Sequence, residues 1–432
     1  MLYHSTTNPC HRVDLKEAIL RSLPPDNGLY MPDTLPVLDA AFWEIWRELT
    51  FPEIGIAVTN AFFGEDVPQQ AILDIIEGTF SFDAPLVTLG PGDHILELFH
   101  GPTLAFKDFG ARFMARLMAW LTRNDDRELT VLVATSGDTG GAVASAFHHV
   151  PGTRVIILYP QGKVSGLQEK QLTALGGNIT ALEIQGSFDD CQALVKSAFL
   201  DRELSERLNL TSANSINLAR LVPQSFYYIH AARQLPEGVT PTFVIPSGNF
   251  GNLTAGLLAM QLGLPINHFV AATNRNDVIP EFLRTGQYTP RPSVPTLSNA
   301  MDVGAPSNFV RLHALFGGSW DAMKTRITGM AFSDDETRAA IRTVKALYNY
   351  EIDPHGAVGW LAAQKWRAAH PGSATITLET AHPAKFLDVM EAELGANCLE
   401  IPERLAILAS REKVATLLPA DKAAFRDWLC SM

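Results

Sequence analysis

The chain has 432 residues, of which 47% are hydrophobic and 19% are charged, and its formal net charge is -12. This length predicts two or three domains around a large apolar core, and the acidic balance excludes a basic stripe that would neutralise nucleic-acid phosphates. The four cysteines show no paired spacing, no apolar run is as long as a membrane span, and the N-terminus lacks a signal pattern. We therefore expect a cytoplasmic protein with no disulfide framework, metal site, membrane anchor or nucleic-acid partner.

The first ninety or so residues are predicted to be mainly helical. Apolar residues recur at helical spacing from Ala40 to Leu49, and a second helix is expected from Pro68, well suited to a first helical position, to about Thr79. A short strand over 85–89 and a Gly-Pro break follow. We expect an N-terminal helical subdomain over residues 1–95.

From about Leu96 the pattern changes to alternating strands and helices. Strands are predicted over 129–135, 154–159, 179–184, 242–245, 268–272 and 374–378, and helices over 165–175, 188–199, 218–235, 334–348 and 356–368. This alternation predicts a mostly parallel sheet covered by helices on both faces, with ligands beyond the carboxyl ends of the strands. Pro223 should kink the helix over 218–235, and residues 285–310 should form a long loop near the site. We expect a catalytic region over 96–400, with a smaller mobile part around 110–215, and a polar helical tail over 401–432.

One lysine follows a Gly-Pro loop at a predicted helix start. Lys107 has apolar residues around it in the sequence, namely Leu104, Phe106 and Phe109, and Asp108 is the expected helix N-cap. Apolar surroundings remove hydration, lower the pKa of an ammonium and make the amine nucleophilic, as imine formation with an aldehyde cofactor requires. The alternative is a lysine that lies along apolar surface with its charge in solvent, which is commoner for an isolated lysine.

Two glycine-rich turns each follow a strand and precede a helix. They are Thr135–Gly141 and Ser247–Asn252. Glycines let a backbone approach an anion closely, and the helix N-terminus supplies unpaired N–H groups. Alone, each turn is equally a tight turn or a capped helix start. Together with Lys107 they favour a ligand site.

Further polar groups follow other predicted strands. Asn214, Ser215 and Arg220 lie at a helix start, where they either hold an anionic substrate group or cap the helix with a solvated arginine. Lys163 faces either a phosphate or solvent. Thr380 ends a strand, and its hydroxyl either bonds a buried ring nitrogen or caps the following turn.

Four segments resemble the threonine synthase family, in its bacterial and fungal type with an extended N-terminal region. They are His100–Phe109, Thr135–Gly140, Ser247–Asn252 and Thr380–Phe386. The resemblance extends from Tyr3 to about residue 400. It implies the fold type II of pyridoxal-phosphate enzymes, with two mostly parallel, helix-covered sheet domains and a small helical N-terminal subdomain. It also implies a lyase, a monomer or homodimer, that eliminates phosphate from O-phospho-L-homoserine and adds water to give L-threonine.

The resemblance assigns expected roles to individual residues. Lys107 would hold pyridoxal 5'-phosphate as an imine and act as the catalytic base, Phe106 would pack on the cofactor ring, and Thr380 would face its nitrogen. The expected phosphate-binding residues are Gly248, Asn249, Phe250, Gly251 and Asn252, and the expected substrate-binding residues are Ser136, Asp138, Thr139, Lys163, Asn214, Ser215 and Arg220. Glu379 departs from the glycine of some relatives, and its carboxylate either alters the polarity beside Thr380 or points away.

Two alternatives stay open from the residues. One is another fold type II enzyme, such as a serine/threonine dehydratase or a cysteine synthase, which needs no second anion site. The other is a phosphate-binding relative without catalysis. A nicotinamide-dependent dehydrogenase is disfavoured, because no strand is followed by the dinucleotide glycine fingerprint and its downstream acid.

Overall fold

The computed structural model describes residues 1–432, apart from the side chain of Ala409. Its N-terminal part combines a small antiparallel sheet with four helices. The elements are β1 (Tyr3–Ser5), β2 (Arg12–Val13), α1 (Leu15–Arg21), β3 (Tyr30–Pro32), α2 (Ala40–Ile45), α3 (Phe51–Phe63) and α4 (Gln69–Thr79). The sheet, in which β1 lies between β2 and β3, was not predicted, because strands of two or three residues show no recognisable alternation.

The next part of the chain alternates strands with helices, as predicted. Its elements are β4 (Leu86–Gly90), β5 (Asp93–Glu97), α5 (Lys107–Thr122), β6 (Leu129–Ala134), α6 (Asp138–Phe147), β7 (Thr153–Pro160), α7 (Gly166–Thr173), β8 (Ile179–Gln185), α8 (Phe188–Leu200), α9 (Arg202–Leu208) and β9 (Leu210–Ser212). The strand β9 was predicted as a loop, because three residues give too short a pattern.

The remaining elements complete both large sheets. They are α10 (Leu218–Leu221), α11 (Gln224–Arg233), β10 (Thr242–Pro246), α12 (Gly251–Gln261), β11 (His268–Thr273), α13 (Val278–Thr285), α14 (Phe309–Leu315), α15 (Trp320–Arg326), β12 (Ile327–Ala331), α16 (Asp334–Tyr348), α17 (Pro354–Ala369), β13 (Thr375–Glu379), α18 (Leu387–Leu394), α19 (Glu403–Ala409), β14 (Thr416–Pro419) and α20 (Lys422–Cys430). Short 3-10 turns cover Asn299–Met301 and Pro383–Phe386.

The two large sheets are predominantly parallel. The first has the strand order β12-β11-β10-β13-β5-β4, in which only the edge pair of β4 and β5 is antiparallel. The second has the order β14-β8-β7-β6-β9, with every pair parallel. Every residue of β6, β10 and β13 is buried, which explains why these strands have continuous apolar sequences rather than alternating ones.

Some predicted elements differ from the structure in informative ways. The helix expected over 218–235 is two helices, α10 and α11, separated at Pro223, because proline lacks the N–H that a continuous helix needs. The predicted helix from Ala40 to Leu49 ends at Ile45, whose side chain is exposed rather than on the buried face. The tail was predicted to be helical, but it contains β14, which extends the second sheet beside β8.

Two features are absent from the described residues. In the part of the chain that the structure describes, no helix combines the length and apolar character needed to cross a membrane. The same residues contain no group of three or more His, Cys, Asp or Glu side chains arranged to bind a metal ion.

Candidate active site

A narrow cleft with an accessible volume of ≈ 80 Å³ lies beyond the carboxyl ends of strands from both large sheets. The loops after β6 and β9 contribute Ser136 and Ser215, and the loops after β10 and β13 contribute Gly248 and Thr380. Lys107, the first residue of α5, also lines it. Parallel strands of one sheet end at the same edge, so residues far apart in the chain meet here.

Lys107 is a partly accessible amine surrounded by protein. The pKa of Lys107 is lowered to about 8, mainly by burial; the negative charge of Asp138 opposes the shift, and the positive charges of Arg220 and Lys385 add to it. The Phe106 ring lies 5.7 Å from its Nζ, measured to the ring centre. With this pKa, about a fifth of the amine is neutral, and therefore nucleophilic, near physiological pH, far more than for an ordinary lysine.

Asp108 does not cap α5 as predicted. The N-cap residue is Phe106, and Asp108 lies within the first helical turn. Its carboxylate accepts hydrogen bonds from the backbone N–H and the hydroxyl of Thr103, at 2.8 and 2.7 Å. Asp108 therefore holds the loop before the lysine, and the carboxylate does not satisfy the helix start.

The turn over Gly248–Asn252 offers unpaired N–H groups to the cleft. Within the described residues, no hydrogen-bond acceptor pairs with the backbone N–H groups of these five residues. Phe250, the N-cap residue of α12, has φ 60°, a backbone conformation that residues other than glycine rarely adopt. Strain of this kind persists where surrounding structure imposes it and is common at ligand sites. The arrangement is a cradle for an anion at a helix N-terminus.

The asparagines of this turn shape its backbone. Asn252 donates from Nδ2 to the carbonyl of Pro246 at 2.7 Å and accepts from the hydroxyl of Ser247 at 3.0 Å. Asn249 Oδ1 accepts from the backbone N–H of Ser307 at 3.1 Å. These side-chain contacts position the loop, so the unpaired backbone groups are what the turn presents to a ligand.

The turn after β6 is a second group of unpaired N–H donors. Thr135 Oγ1 accepts from the backbone N–H groups of Gly137 and Gly140, at 3.0 and 2.8 Å. In the described chain, the backbone N–H groups of Ser136, Asp138 and Thr139 have no hydrogen-bond acceptor. Thr135, Ser136 and Thr139 line the cleft.

Two predicted substrate residues lie away from the cleft. The Asp138 carboxylate is buried against Lys385, with Oδ1 2.5 Å from Nζ, and Gln168 Nε2 donates to the same oxygen at 2.8 Å. The pKa of Asp138 is lowered, by the charges of Lys385 and Lys107 against the cost of burial. Lys163 is exposed and does not line the cleft.

Arg220, Asn214 and Ser215 do line the cleft. Arg220 is 2% exposed, and its Nη1 donates to the carbonyl of Ala213 at 2.6 Å. No carboxylate forms an ion pair with it in the described residues, and its Nε has no partner. Burial lowers the pKa of Arg220 to about 10. A guanidinium buried without a counter-ion is a site that an anion would stabilise.

The sequence did not identify the residues that hold the segment around Ser215 in place. Asn308 Nδ2 donates to Ser215 Oγ at 3.2 Å, and the fully buried Arg311 donates to the carbonyls of Ile216 and Tyr30 at 2.6 and 3.0 Å. His355 also lines the cleft. No local signal marks these residues, since their partners come from distant parts of the chain.

Thr380 lies at the edge of the cleft, but Glu379 does not. The Thr380 carbonyl accepts the backbone N–H of Phe106 at 2.9 Å, which joins the end of β13 to the start of α5. Glu379 Oε1 accepts the backbone N–H of Asp353 at 2.8 Å. Burial, with the facing Asp353 carboxylate, raises the pKa of Glu379 well above its usual value. The carboxyl group of Glu379 therefore points away from the Thr380 side of the cleft.

These groups fit a phosphorylated aldehyde. The unpaired N–H groups over Gly248–Asn252 suit its phosphate, and the amine of Lys107 suits its aldehyde. The guanidinium of Arg220, in the same cleft, suits a second anion.

Comparison with known proteins gives consistent matches over nearly the full chain. Family models described as "Pyridoxal-phosphate dependent enzyme", "Threonine synthase N terminus" and "Threonine synthase, C-terminal" match residues 95–378, 2–80 and 356–429. Threonine synthase of Escherichia coli (strain K12) is 45% identical over 418 residues, covering 96% of each chain. The crystal structure of Escherichia coli threonine synthase matches with a TM-score of 0.95 at 43% identity, covering 100% of both chains. The crystal structure of threonine synthase from Brucella melitensis with bound pyridoxal phosphate matches with a TM-score of 0.90 at 35% identity, covering 99% of this chain and 98% of that one.

The fold agrees with the implied type, since both large sheets are parallel-rich and the cleft lies between their carboxyl ends. Matches to separate N-terminal, central and C-terminal models leave little of the chain unaccounted for. The chain therefore belongs to the threonine synthase family of pyridoxal-phosphate-dependent enzymes.

Proposed function

We propose that the chain converts O-phospho-L-homoserine and water to L-threonine and phosphate. One observation carries the choice of substrate: Lys107 shares its cleft with two separate places for an anion. These are the N–H groups over Gly248–Asn252 and the guanidinium of Arg220, which has no carboxylate partner in the described chain. The first would hold the cofactor phosphate. A dehydratase or cysteine synthase has no need of the second, whereas a phosphorylated amino acid does.

Bound pyridoxal phosphate supplies an electron-withdrawing ring that stabilises negative charge on substrate carbon. Lys107 moves the protons. Its free amine would remove the proton from Cα and then one from Cβ of the substrate. The pKa of about 8 supports this role, because a base and acid that acts repeatedly works best when its pKa is near the working pH.

Arg220 would bind the phosphate that leaves. The Cγ–O bond breaks, the electron pair leaves with the phosphate, and Cγ gains a proton to become the methyl group. Water then adds its oxygen to Cβ, and a proton returns to Cα, so that the sum is one water consumed and one phosphate released. Held beside Arg220, the released phosphate would serve as the second proton carrier.

The turn after β6 would orient the substrate. The unpaired N–H groups of Ser136 and Thr139 and their hydroxyls suit the α-carboxylate. Asn214 Nδ2 donates to the carbonyl of Ala134 at 2.8 Å, and Ser215 accepts from Asn308, so both lie at fixed positions beside Arg220. Fixed donors of this kind lower the barrier by positioning rather than by chemistry.

The first test compares two activities of the purified protein loaded with pyridoxal phosphate. Release of inorganic phosphate from O-phospho-L-homoserine, with L-threonine formed in equal amount, is the expected result. Ammonia release from L-threonine at a comparable or greater rate would instead identify a dehydratase. No turnover of either substrate by protein that binds the cofactor would favour a relative without catalysis.

The second test separates the two anion sites. Arg220→Lys keeps a charge but loses the planar fork, and Arg220→Ala loses both, so we expect KM for the substrate to rise by roughly 10-fold and 100-fold or more, respectively. Cofactor affinity should change little in either variant. Lys163→Ala is the matched control, because this lysine is exposed outside the cleft. Unchanged kinetics of Arg220→Ala would remove Arg220 from the substrate site.

A further inference from the structure

A buried series of hydrogen bonds connects the end of β13 to the loop that covers Gly248. Glu379 accepts from the backbone N–H of Asp353, and Asp353 Oδ1 lies 2.5 Å from Nδ1 of His355. His355 Nε2 then accepts from the backbone N–H of Ala300 at 3.2 Å. Glu379 and Asp353 are 0% exposed and His355 is 2% exposed.

The two hydrogen-bond partners of His355 indicate which of its ring nitrogens carries the proton. A backbone N–H can only donate, so Nε2 must carry a free lone pair to accept from Ala300. Nδ1 must then carry the proton and donate it to Asp353. His355 is therefore a neutral imidazole in one tautomer, with each ring nitrogen assigned to one partner.

The segment that His355 holds lies directly on the turn expected to bind the cofactor phosphate. A Cβ added at Gly248 would lie 2.7 Å from the carbonyl oxygen of Ala300 and 2.9 Å from Cα of Met301. Ala300, Met301 and Val303 line the same cleft as Gly248. The backbone of this segment therefore limits how far the turn at Gly248 can move.

The same segment has a second, independent attachment. Asp302 Oδ1 accepts from Asn274 Nδ2, Asn276 Nδ2 and Thr296 Oγ1, at 2.9, 3.1 and 2.7 Å. This attachment fixes the side of the segment that faces away from the cleft. Among the described residues, His355 is the only side chain that hydrogen-bonds to Ala300. Without it, the end of the segment that touches Gly248 would lose this attachment.

Glu379 holds the backbone of Asp353 in place beneath His355. Gly356 makes room for the Glu379 carboxyl group, since a Cβ at Gly356 would collide with Oε2. Burial and the facing Asp353 carboxylate raise the pKa of Glu379 well above its usual value. Asp353, held between Glu379 and His355, places its Oδ1 2.5 Å from the Nδ1 of His355 and orients the imidazole ring.

We propose that His355 is a positioning residue of the cofactor site: with its tautomer set by Asp353, it accepts the N–H of Ala300 and holds residues 300–303 against the turn at Gly248. It acts through Ala300 rather than by contact with the reacting atoms. The proposal concerns the binding of pyridoxal phosphate and is independent of which substrate the enzyme uses.

Two substitutions separate the two hydrogen bonds of the imidazole. In His355→Gln, the side-chain amide reaches the place of Nε2 and supplies an oxygen that accepts from Ala300, but the donor to Asp353 is lost. In His355→Asn, the amide reaches the place of Nδ1 and donates to Asp353, but nothing accepts from Ala300. The measurement is the dissociation constant for pyridoxal phosphate, from titration of the cofactor-free protein, with no substrate present.

The Asn variant should bind the cofactor roughly tenfold more weakly than wild type, the effect of one lost hydrogen bond to a buried backbone donor. The Gln variant should stay within about threefold. Amide hydrogen exchange of the peptide spanning residues 298–304 should accelerate in the cofactor-free Asn variant and not in the Gln variant. If His355 had only a general structural role, both variants would have a lower melting temperature, and the Asn and Gln variants would not differ in cofactor affinity or in hydrogen exchange.

Equal cofactor affinity of His355→Asn and wild type would overturn the proposal, as would a loss in His355→Gln as large as that in His355→Asn. If the Asn variant does not fold, the Gln variant decides alone: a tenfold loss of affinity there refutes the proposal, and retention supports it. Loss of turnover with unchanged cofactor affinity would bear on the proposed reaction and would count against His355 as a positioning residue of the cofactor site.

Discussion

The buried ion pair between Lys385 and Asp138 allows a sharp test of the electrostatics around Lys107. Lys385 Nζ lies 2.5 Å from Asp138 Oδ1 and donates to the carbonyl of Thr103 at 3.0 Å, and the two side chains are 1% and 3% exposed. Lys385→Met keeps the length of the side chain but leaves a buried carboxylate without its counter-ion. Such a change costs about 3–5 kcal/mol, because Asp138 keeps only the hydrogen bond from Gln168.

The expected change in melting temperature follows from the size of the protein. For 432 residues unfolding as one unit, an unfolding entropy of roughly 2.1 cal/mol/K per residue gives about 0.9 kcal/mol per degree. Lys385→Met should therefore lower the melting temperature by about 3–6 °C. Differential scanning calorimetry of the cofactor-free protein measures this directly.

The double variant Lys385→Met with Asp138→Asn is the matched control. It removes both charges together, so most of the stability lost in Lys385→Met should return, and the coupling energy from the double-mutant cycle should exceed about 2 kcal/mol. A melting temperature of Lys385→Met within about 1 °C of wild type would refute the reasoning. A double variant no more stable than the single one would refute it as well, since the cost would then come from packing rather than charge.

Three further predictions concern Lys107 and the turn at Gly248. The rate at which cofactor-free protein captures pyridoxal phosphate should rise as the pH increases through about 8, because the amine of Lys107 becomes neutral above its pKa. In Asp138→Asn the rise should occur at lower pH, because the charge of Asp138 raises the pKa of Lys107. A pH profile unaffected by this substitution would contradict the assignment. Borohydride reduction of the loaded protein should attach the cofactor to Lys107, and peptide mapping that finds it on another lysine would reject Lys107 as the cofactor lysine. Gly248→Ala should weaken cofactor binding more than about tenfold, because its Cβ would meet the Ala300 carbonyl at 2.7 Å, whereas Gly166→Ala, where a Cβ has open space, is the control that should bind normally.

Much of the fold was predictable because its main strands are long and buried. The strand predicted over 129–135 is β6, and the helix predicted over 334–348 is α16, whose capping box of Ser333 and Glu336 marks its start in the sequence. Strands of two to four residues, such as β9 and β14, were missed. Such short strands are stabilised by pairing with a neighbouring strand, and that neighbour is not visible in the local sequence.

The residues of the candidate site were likewise only partly predictable from the sequence. Lys107 and the turn over Gly248–Asn252 were recognisable because each has a local signature, a helix start after a Gly-containing loop. Asp138 has an equally suggestive position, yet its carboxylate turns away from the cleft. His355 lines the cleft although the residues around it indicate only an ordinary helix N-terminus after Asp353.

Local residue order was therefore enough to specify the strand-turn-helix units and the glycine-rich turns, since these depend on backbone conformation and on neighbours a few positions away. The direction in which each polar side chain points was settled by partners that only folding brings together: Lys385 for Asp138, and Ala300 for His355. Burial makes an unpaired charge or hydrogen-bonding group costly, so each such group turns toward whichever partner the packed chain supplies. Arg220 lines the cleft and has no carboxylate partner in the described chain, which is why we propose that it binds the substrate phosphate.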